Sequence, residues 1–408
     1  MEKYNTATLT NGLRIIHLPS SSKVVYCGIG IGAGTRQEVM GEDGLAHFCE
    51  HTTFKGTRQR TALQILNSLE RVGGDFNAFT NKEDTVYYAA ILKDYLNKAV
   101  DLLCDIVFCS IYPEEEIRHE VDVICDEIES YNDTPSELIY DEFENMVFEN
   151  HPLGHNILGT KERVLSFSGD DARRFTQRYY RPYNAIFFAY GDVDFTKLVK
   201  RLEGCMEQLG ERHIRQIVQQ PTSFPKSKPV ERQLREHHQA HVMLGSRTFS
   251  YDDERRMPLY LLNNILGGPG MNARLNLSLR ERNGLVYTVE STMASYSDTG
   301  CWSVYFGCDH HDVQRCLRLV HRELDKVMQH PLSDRQLAAA KQQLKGQIAI
   351  ACDNREQYTM DFAKNFLHYG RERSIDDVLQ RIDAITTQQV QDVAQYVFRP
   401  DALHLLML

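Results

Sequence analysis

Residues Gly44–Lys55 read G-L-A-H-F-C-E-H-T-T-F-K, and their reading decides how the rest of the chain is understood. Inside them lies H-x-x-E-H, formed by His47, Glu50 and His51. On a helix, residues four apart stand one above the other on one face, so both imidazoles can grip one cation from the same side. Glu50 lies about one turn from His47, within reach of a water on such a cation. Leu45, Phe48, Cys49 and Thr52 form the core stripe of this helix, and the histidines point away from it.

The order is the reverse of H-E-x-x-H and is a signature found among zinc peptidases. A surface helix with two solvated histidines carries the same letters, so a third ligand has to come from elsewhere. The segment after Pro113 offers one. Proline suits the first helical position, and Glu114, Glu115 and Glu116 favour the positive end of a helix. Ile117, Val121, Ile124 and Ile128 make its apolar stripe, while Glu120 and Glu127, seven residues apart, lie at the margin of that stripe. A carboxylate there is costly unless it is paired, and a bound cation is one answer. Snorkelling to water is the other.

The chain has 408 residues, more than one ordinary core accommodates, which implies two domains. Hydrophobic residues make up 42% and charged residues 25%, as in a globular protein. No apolar run is long enough to span a bilayer, and the start Met1-Glu-Lys-Tyr-Asn-Thr6 is no secretory signal. A cytoplasmic protein with no membrane partner is expected. Ten cysteines without C-x-x-C pairs read as reduced thiols. The net charge of -10 argues against nucleic acid as a partner.

Around the motif the pattern alternates between strands and helices. Strands are expected over 13–18 and 24–31, and a helix over 62–72 with Leu63, Leu66, Leu69 and Val72 as its stripe. Strands at 76–80 and 85–92 flank the turn Asn81-Lys-Glu-Asp84, and a helix follows from Tyr95. Residues 214–232, with Pro221, Pro225 and Pro229, read as a linker. Beyond it a strand over 300–307 is again followed by a helix, from about 312, at an offset near half the chain. This repetition implies a duplicated α+β unit, with domains over 1–213 and 233–408. Only the first copy carries H-x-x-E-H, so the second is expected to be non-catalytic.

These residues, taken with several further runs, resemble the pitrilysin family of zinc peptidases. The likeness is to its half-length members similar to the mitochondrial processing peptidase. The runs include Phe54-Lys-Gly-Thr57, Gly73-Gly-Asp-Phe-Asn-Ala78 with Thr80, Ile124-Cys-Asp-Glu-Ile128, Asp133-Thr-Pro135 and His151-Pro-Leu-Gly154. In the second half they include Gln239-Ala-His-Val-Met-Leu-Gly245 and Leu279-Arg-Glu-Arg-Asn-Gly-Leu-Val-Tyr287. The resemblance implies two homologous α+β domains, each a mainly antiparallel sheet packed with helices. It implies one Zn2+ per chain on His47, His51 and Glu127, with Glu120 supporting the site. It further implies that Asn77 and Ala78 pair with the substrate backbone, and that Arg280 and Tyr287 hold substrate near the scissile bond.

Two imidazoles and one carboxylate leave the fourth zinc position for water, the arrangement of a catalytic site. Glu50 then serves as the base. Peptides are the expected substrates of a homodimer enclosing a chamber, with Arg280 and Tyr287 of one subunit serving the zinc of the other. The alternatives are a heterodimer with an inactive homologue and a non-catalytic subunit of the core type. His237, His238 and His241 read as surface histidines, and Gly267-Gly-Pro-Gly270 as a turn rather than a phosphate loop.

Overall fold

The structure, a computed structural model, describes residues 4–207, 230–233, 238–370 and 374–408. Most of the expected linker, residues 214–229, lies outside the described residues. In chain order come β1 (Asn5–Thr8), β2 (Arg14–Pro19), β3 (Val24–Ile31), α1 (Leu45–Thr53), α2 (Ala62–Glu70), β4 (Asp75–Thr80), β5 (Thr85–Leu92), α3 (Leu96–Cys109) and α4 (Glu114–Asn132). They are followed by α5 (Pro135–Val147), α6 (Lys161–Val164), α7 (Gly169–Tyr179), β6 (Ala185–Gly191) and α8 (Phe195–Glu207). The second half holds β7 (Glu231–Gln233), β8 (Ala240–Thr248), α9 (Arg256–Gly267), a π-helix (Asn276–Glu281), β9 (Val286–Ser295) and β10 (Gly300–Cys308). It ends with α10 (Val313–Gln329), α11 (Asp334–Ala351), α12 (Arg355–Tyr369), α13 (Ile375–Ala384), α14 (Thr387–Val397) and β11 (His404–Met407).

Among the described residues the strands form two sheets, ordered β1-β2-β6-β3-β5-β4 and β7-β11-β8-β10-β9. Setting β1 aside, the orders correspond strand for strand. The pairs β2/β6 and β7/β11 are parallel, and every other neighbouring pair in either sheet is antiparallel. The duplication read from the strand at 85–92 and its partner at 300–307 thus extends over the whole topology. The fold is α+β, as expected.

In the first unit period-two alternation buries both faces of the sheet. Val25, Cys27, Ile29 and Ile31 of β3 face Phe48 of α1 and the apolar side of α3. On the other face Ile16, Leu18, Ile186 and Phe188 meet Met360, Phe362, Ala363 and Phe366 of α12. Gly28 lets β3 and β6 close up, since a Cβ there would lie 2.4 Å from the Phe188 ring. Arg14 donates to the carbonyls of Phe366 (3.1 Å) and Leu367 (2.9 Å) in the last turn of α12, the first of which also accepts the Gly370 N–H.

The second unit repeats this with its own elements. Trp302, Val304 and Phe306 face the core beneath α9, α10 and α14. On the opposite face Met243, Cys301, Tyr305 and Leu406 pack with Leu138, Ile139, Phe143 and Val147 of α5. By compactness, Tyr131–Gly154 therefore belongs with the second unit and the described part of Cys352–Ser374 with the first. Each sheet has the face away from its own large core covered by a helix that comes, in sequence, from the other half.

The expected stripe of α2 is corrected. Ile65 and Leu69 are its buried residues, whereas Leu63 and Leu66 are 69% and 51% exposed. Residues 65 and 69, four apart, share one face, and Leu63 falls well round the helix from it. Gly73, at φ +71, ends the segment as expected.

Candidate metal centre

Helix α1 is buried at eight of its nine positions, with His51 intermediate. Its residues Phe48 and Cys49 face the core, which turns His47, Glu50 and His51 towards α4 and β4. His47 Nε2 lies 3.8 Å and His51 Nε2 3.3 Å from the same atom, Glu127 Oε2. The potential donor atoms of these three residues all lie within 4.8 Å of one another. Zinc-nitrogen and zinc-oxygen bonds near 2 Å at tetrahedral angles need donors roughly 3.3 Å apart, so the set fits one such ion with small adjustment. Glu127 is about half exposed, with its side chain at 45%, so the cluster has an open side.

The surrounding contacts fix the ring of His51. Its Nδ1 is 2.9 Å from Glu120 Oε1, and the other oxygen of Glu120 is held by Lys55 Nζ. A carboxylate on Nδ1–H sets the ring orientation and directs Nε2 at a metal that would take the place of its proton. His47 Nδ1 is buried without a hydrogen-bond partner among the described residues. Glu50 Oε2 accepts from Thr80 Oγ1 at 2.9 Å.

The electrostatics follow from burial and pairing. Burial, with Glu127 adding to it, raises the Glu50 carboxyl above the ordinary range, against the pull of His51 and Thr80. Burial, reinforced by the nearby His51, pushes His47 down to about 4. For His51 burial also acts downward, but the bonds to Glu120 and Glu127 overcome it and lift the ring to about 9. Burial works to raise Glu120, and its bonds to His51 and Lys55 prevail, so it is held low. The bond from His51 lowers Glu127.

Asn77 and Ala78 lie on β4, the terminal strand of its sheet. Asn77 is exposed, and its own Oδ1 accepts the Ala78 N–H at 2.8 Å. In the second unit the Arg280 guanidinium sits 5.8 Å from the centre of the Tyr287 ring. Both line a cavity of about 350 Å³ with Asn263, Asn264, Gly268 and Glu290. Tyr287 is 87% exposed. His238 is exposed, His241 is 2.9 Å from the Tyr305 hydroxyl, and His237 lies outside the described residues. A second group of potential donors, Asp309, His311 and Asp312, is largely exposed.

Lys55 and Thr80 were present in the quoted motifs without a role. Their contacts with Glu120 and Glu50 need three-dimensional proximity. Glu38 and His155 were not singled out at all. The available signal was an acid shortly before a helix whose N-cap, Gly44, has no side chain to cap it.

Residues 15–161 match the family model for Insulinase (Peptidase family M16), and residues 166–344 match that for the Peptidase M16 inactive domain. The chain is 35% identical to an uncharacterized zinc protease of Streptomyces coelicolor, over 96% of this chain and 86% of that one. It is 33% identical to the uncharacterized zinc protease YmxG of Bacillus subtilis, over 97% and 95%. A protease from Helicobacter pylori has the same fold, with a TM-score of 0.93 at 22% identity over 100% and 99% of the two chains. A peptidase M16 inactive domain from Pseudomonas fluorescens superposes at 0.88, with 18% identity over 99% and 97%. The chain therefore belongs to peptidase family M16. Its curated relatives are named zinc proteases, and among its described residues no helix is long and apolar enough to cross a membrane.

Proposed function

We propose that this protein is a zinc-dependent endopeptidase that hydrolyses unfolded peptides. His47, His51 and Glu127 hold one zinc per chain, and Glu50 is the base. The observation carrying this reading is the convergence of two imidazoles and Glu127 within 4.8 Å, with the buried Glu50 on the same helix. When bound, zinc supplies Lewis acidity, polarising the scissile carbonyl and lowering the pKa of a water towards about 7.

The chain's own residues do the rest. Thr80 occupies Glu50 Oε2, which leaves Oε1 to take the proton of the attacking water and later hand it to the leaving amine. A carboxyl raised by burial is the better matched to both transfers. Glu120 holds the Nδ1 proton of His51 and so keeps Nε2 directed at the metal. A peptide adds as a strand to the free edge of β4 at Asn77 and Ala78, where main-chain bonds give affinity and side-chain pockets give preference. Arg280 and Tyr287 hold the substrate near the scissile bond. The working form is a cytoplasmic dimer whose chamber admits unfolded peptides.

The test is peptide-library digestion by the native chain and Glu50→Gln in parallel, with zinc measured on both. Glu50→Gln is expected to keep its zinc and lose about 10²–10⁴-fold in turnover. Loss of metal with turnover would overturn the role given to Glu50. Light scattering during the assay tests the dimer, and cleavage of folded proteins as fast as short peptides would rule out the chamber.

A further inference from the structure

A helix carrying two metal ligands needs its first turn held still, and α1 lacks the usual means. Its N-cap is Gly44, at φ 92° and without a side-chain cap. The first N–H groups of a helix have no intrahelical partner. Here the Leu45 N–H goes to the Glu42 carbonyl at 2.8 Å, and the N–H groups on either side of it are met by one side chain from the preceding loop. Glu38 Oε1 accepts the Ala46 N–H at 2.7 Å, and Oε2 accepts the Gly44 N–H at 3.0 Å. The Glu38 side chain is 1% exposed, and His155 Nε2, 2.8 Å from Oε2, is its partner. Such a carboxylate also complements the positive end of the helix.

The same end is gripped from the other side. A Cβ on Gly44 would lie 2.7 Å from the Leu158 carbonyl oxygen, and one on Gly159 would lie 2.4 Å from the Asp43 carbonyl oxygen. The loop that carries His155 thus lies backbone to backbone against the start of α1. Lys82, 3% exposed, donates to the His155 carbonyl. Lys82 stands two residues after Thr80, which holds Glu50. The end of β4 is therefore linked to the site twice, through Thr80 to the base and through Lys82 and His155 to Glu38.

We infer that Glu38, clamped by His155, is the positioning residue of the metal helix and sets the placement of His47 and His51, and with it the metal affinity. Ala46, which it holds, directly precedes His47. No flexible turn lies between clamp and ligand. This inference rests on the zinc reading of the same site.

The experiment measures binding of zinc and of Co2+ to the full chain by chelator competition, with the visible spectrum at saturating cobalt and the thermal midpoint. The variants are Glu38→Gln, Glu38→Ala, His155→Ala and His155→Gln. Glu38→Gln keeps the size of the side chain but offers one acceptor oxygen for two. It is expected to weaken zinc binding about tenfold, and Glu38→Ala by up to about 100-fold. Both should alter the saturated cobalt spectrum, which a residue acting only on stability leaves unchanged. His155→Gln, which retains a donor, should restore most of what His155→Ala loses. Native affinity and a native cobalt spectrum in a folded Glu38→Gln chain would overturn the inference alone. A native chain that binds zinc but cleaves no peptide would overturn the proposed function and leave the clamp standing. A native chain that takes up neither metal overturns both.

Discussion

Helices α1 and α9 occupy the same place in the two sheets, each entered from a matching strand, β3 or β8. In α1 the side chains off the apolar stripe are His47, Glu50 and His51. In α9, beyond Arg256 at its start, the polar positions are Asn263 and Asn264, and the first of these two is used structurally. Asn263 Oδ1 accepts from Trp302 Nε1 at 2.9 Å, and its carbonyl accepts from Ser291 Oγ at 3.0 Å. The helix matching α4 differs in the same way. Helix α11 carries one acid, Asp334, at its first position, where α4 presents Glu120 and Glu127 along its length. One topology therefore supports a group of residues able to hold a metal or an ordinary core, and a handful of side chains on two helices decides which.

This comparison can be broken at several points beyond the turnover expected to be lost with Glu50→Gln. The largest further effect lies in the cores. Phe398 is 1% exposed and packs 4.4 Å from Trp302, the single tryptophan of the chain, whose fluorescence therefore reports on the second unit. Phe398→Ala is expected to cost about 3–5 kcal/mol in urea unfolding followed by that fluorescence, with zinc content unchanged. Phe48→Ala, made inside α1, should cost a similar amount and lower zinc affinity as well. Equal zinc binding in both variants would mean that the site does not depend on how its helix is packed.

A smaller effect is pH-dependent and belongs to the second unit. His404 is 2% exposed, and burial, with Arg247 nearby, pushes it down to about 4. A base depressed in the folded state binds fewer protons there than in the unfolded chain. Its contribution is present above the unfolded value near 6.5 and is lost as pH falls from there towards 4. The loss is on the order of 3 kcal/mol. Denaturant melts between pH 7 and 4 should show it, and His404→Gln should flatten the profile. An unchanged profile would assign the acid sensitivity to other groups.

Next comes Glu120→Gln, which is expected to weaken zinc binding about 10–100-fold while leaving the fold intact. Affinity equal to the native chain would show that Lys55 and Glu120 do not tune His51. The smallest expected effect is none. Asp309→Asn, in the exposed donor group of the second unit, should leave one zinc per chain by metal analysis. Two zinc ions in the native chain, reduced to one in this variant, would remove the asymmetry on which the comparison rests.

Much of this was legible along the chain, for identifiable reasons. His47, Glu50 and His51 lie within one turn and a half, so helical period alone brings them together. Glu120 and Glu127 could be picked out because the apolar stripe of α4 is regular and they interrupt its margin. The duplication could be read from a strand and helix that recur with the same spacing. The stripe of α2 was misread because several leucines in a short helix allow more than one face, and docking against α3 and β4 selects Ile65 and Leu69. The exchange of α5 and α12 had no local sign. Both helices are amphipathic, and amphipathicity does not say which sheet a helix covers.

The sequence by itself determined the H-x-x-E-H helix, the acidic helix and the family, because those depend on residue type at short, periodic spacings. Only the tertiary structure decided that Glu127 meets both imidazoles, that Lys55 and Thr80 serve Glu120 and Glu50, and that Glu38 and His155 hold the start of α1. These contacts join residues tens of positions apart. Their distances are fixed by how two layers of side chains pack, which no pattern along one segment encodes.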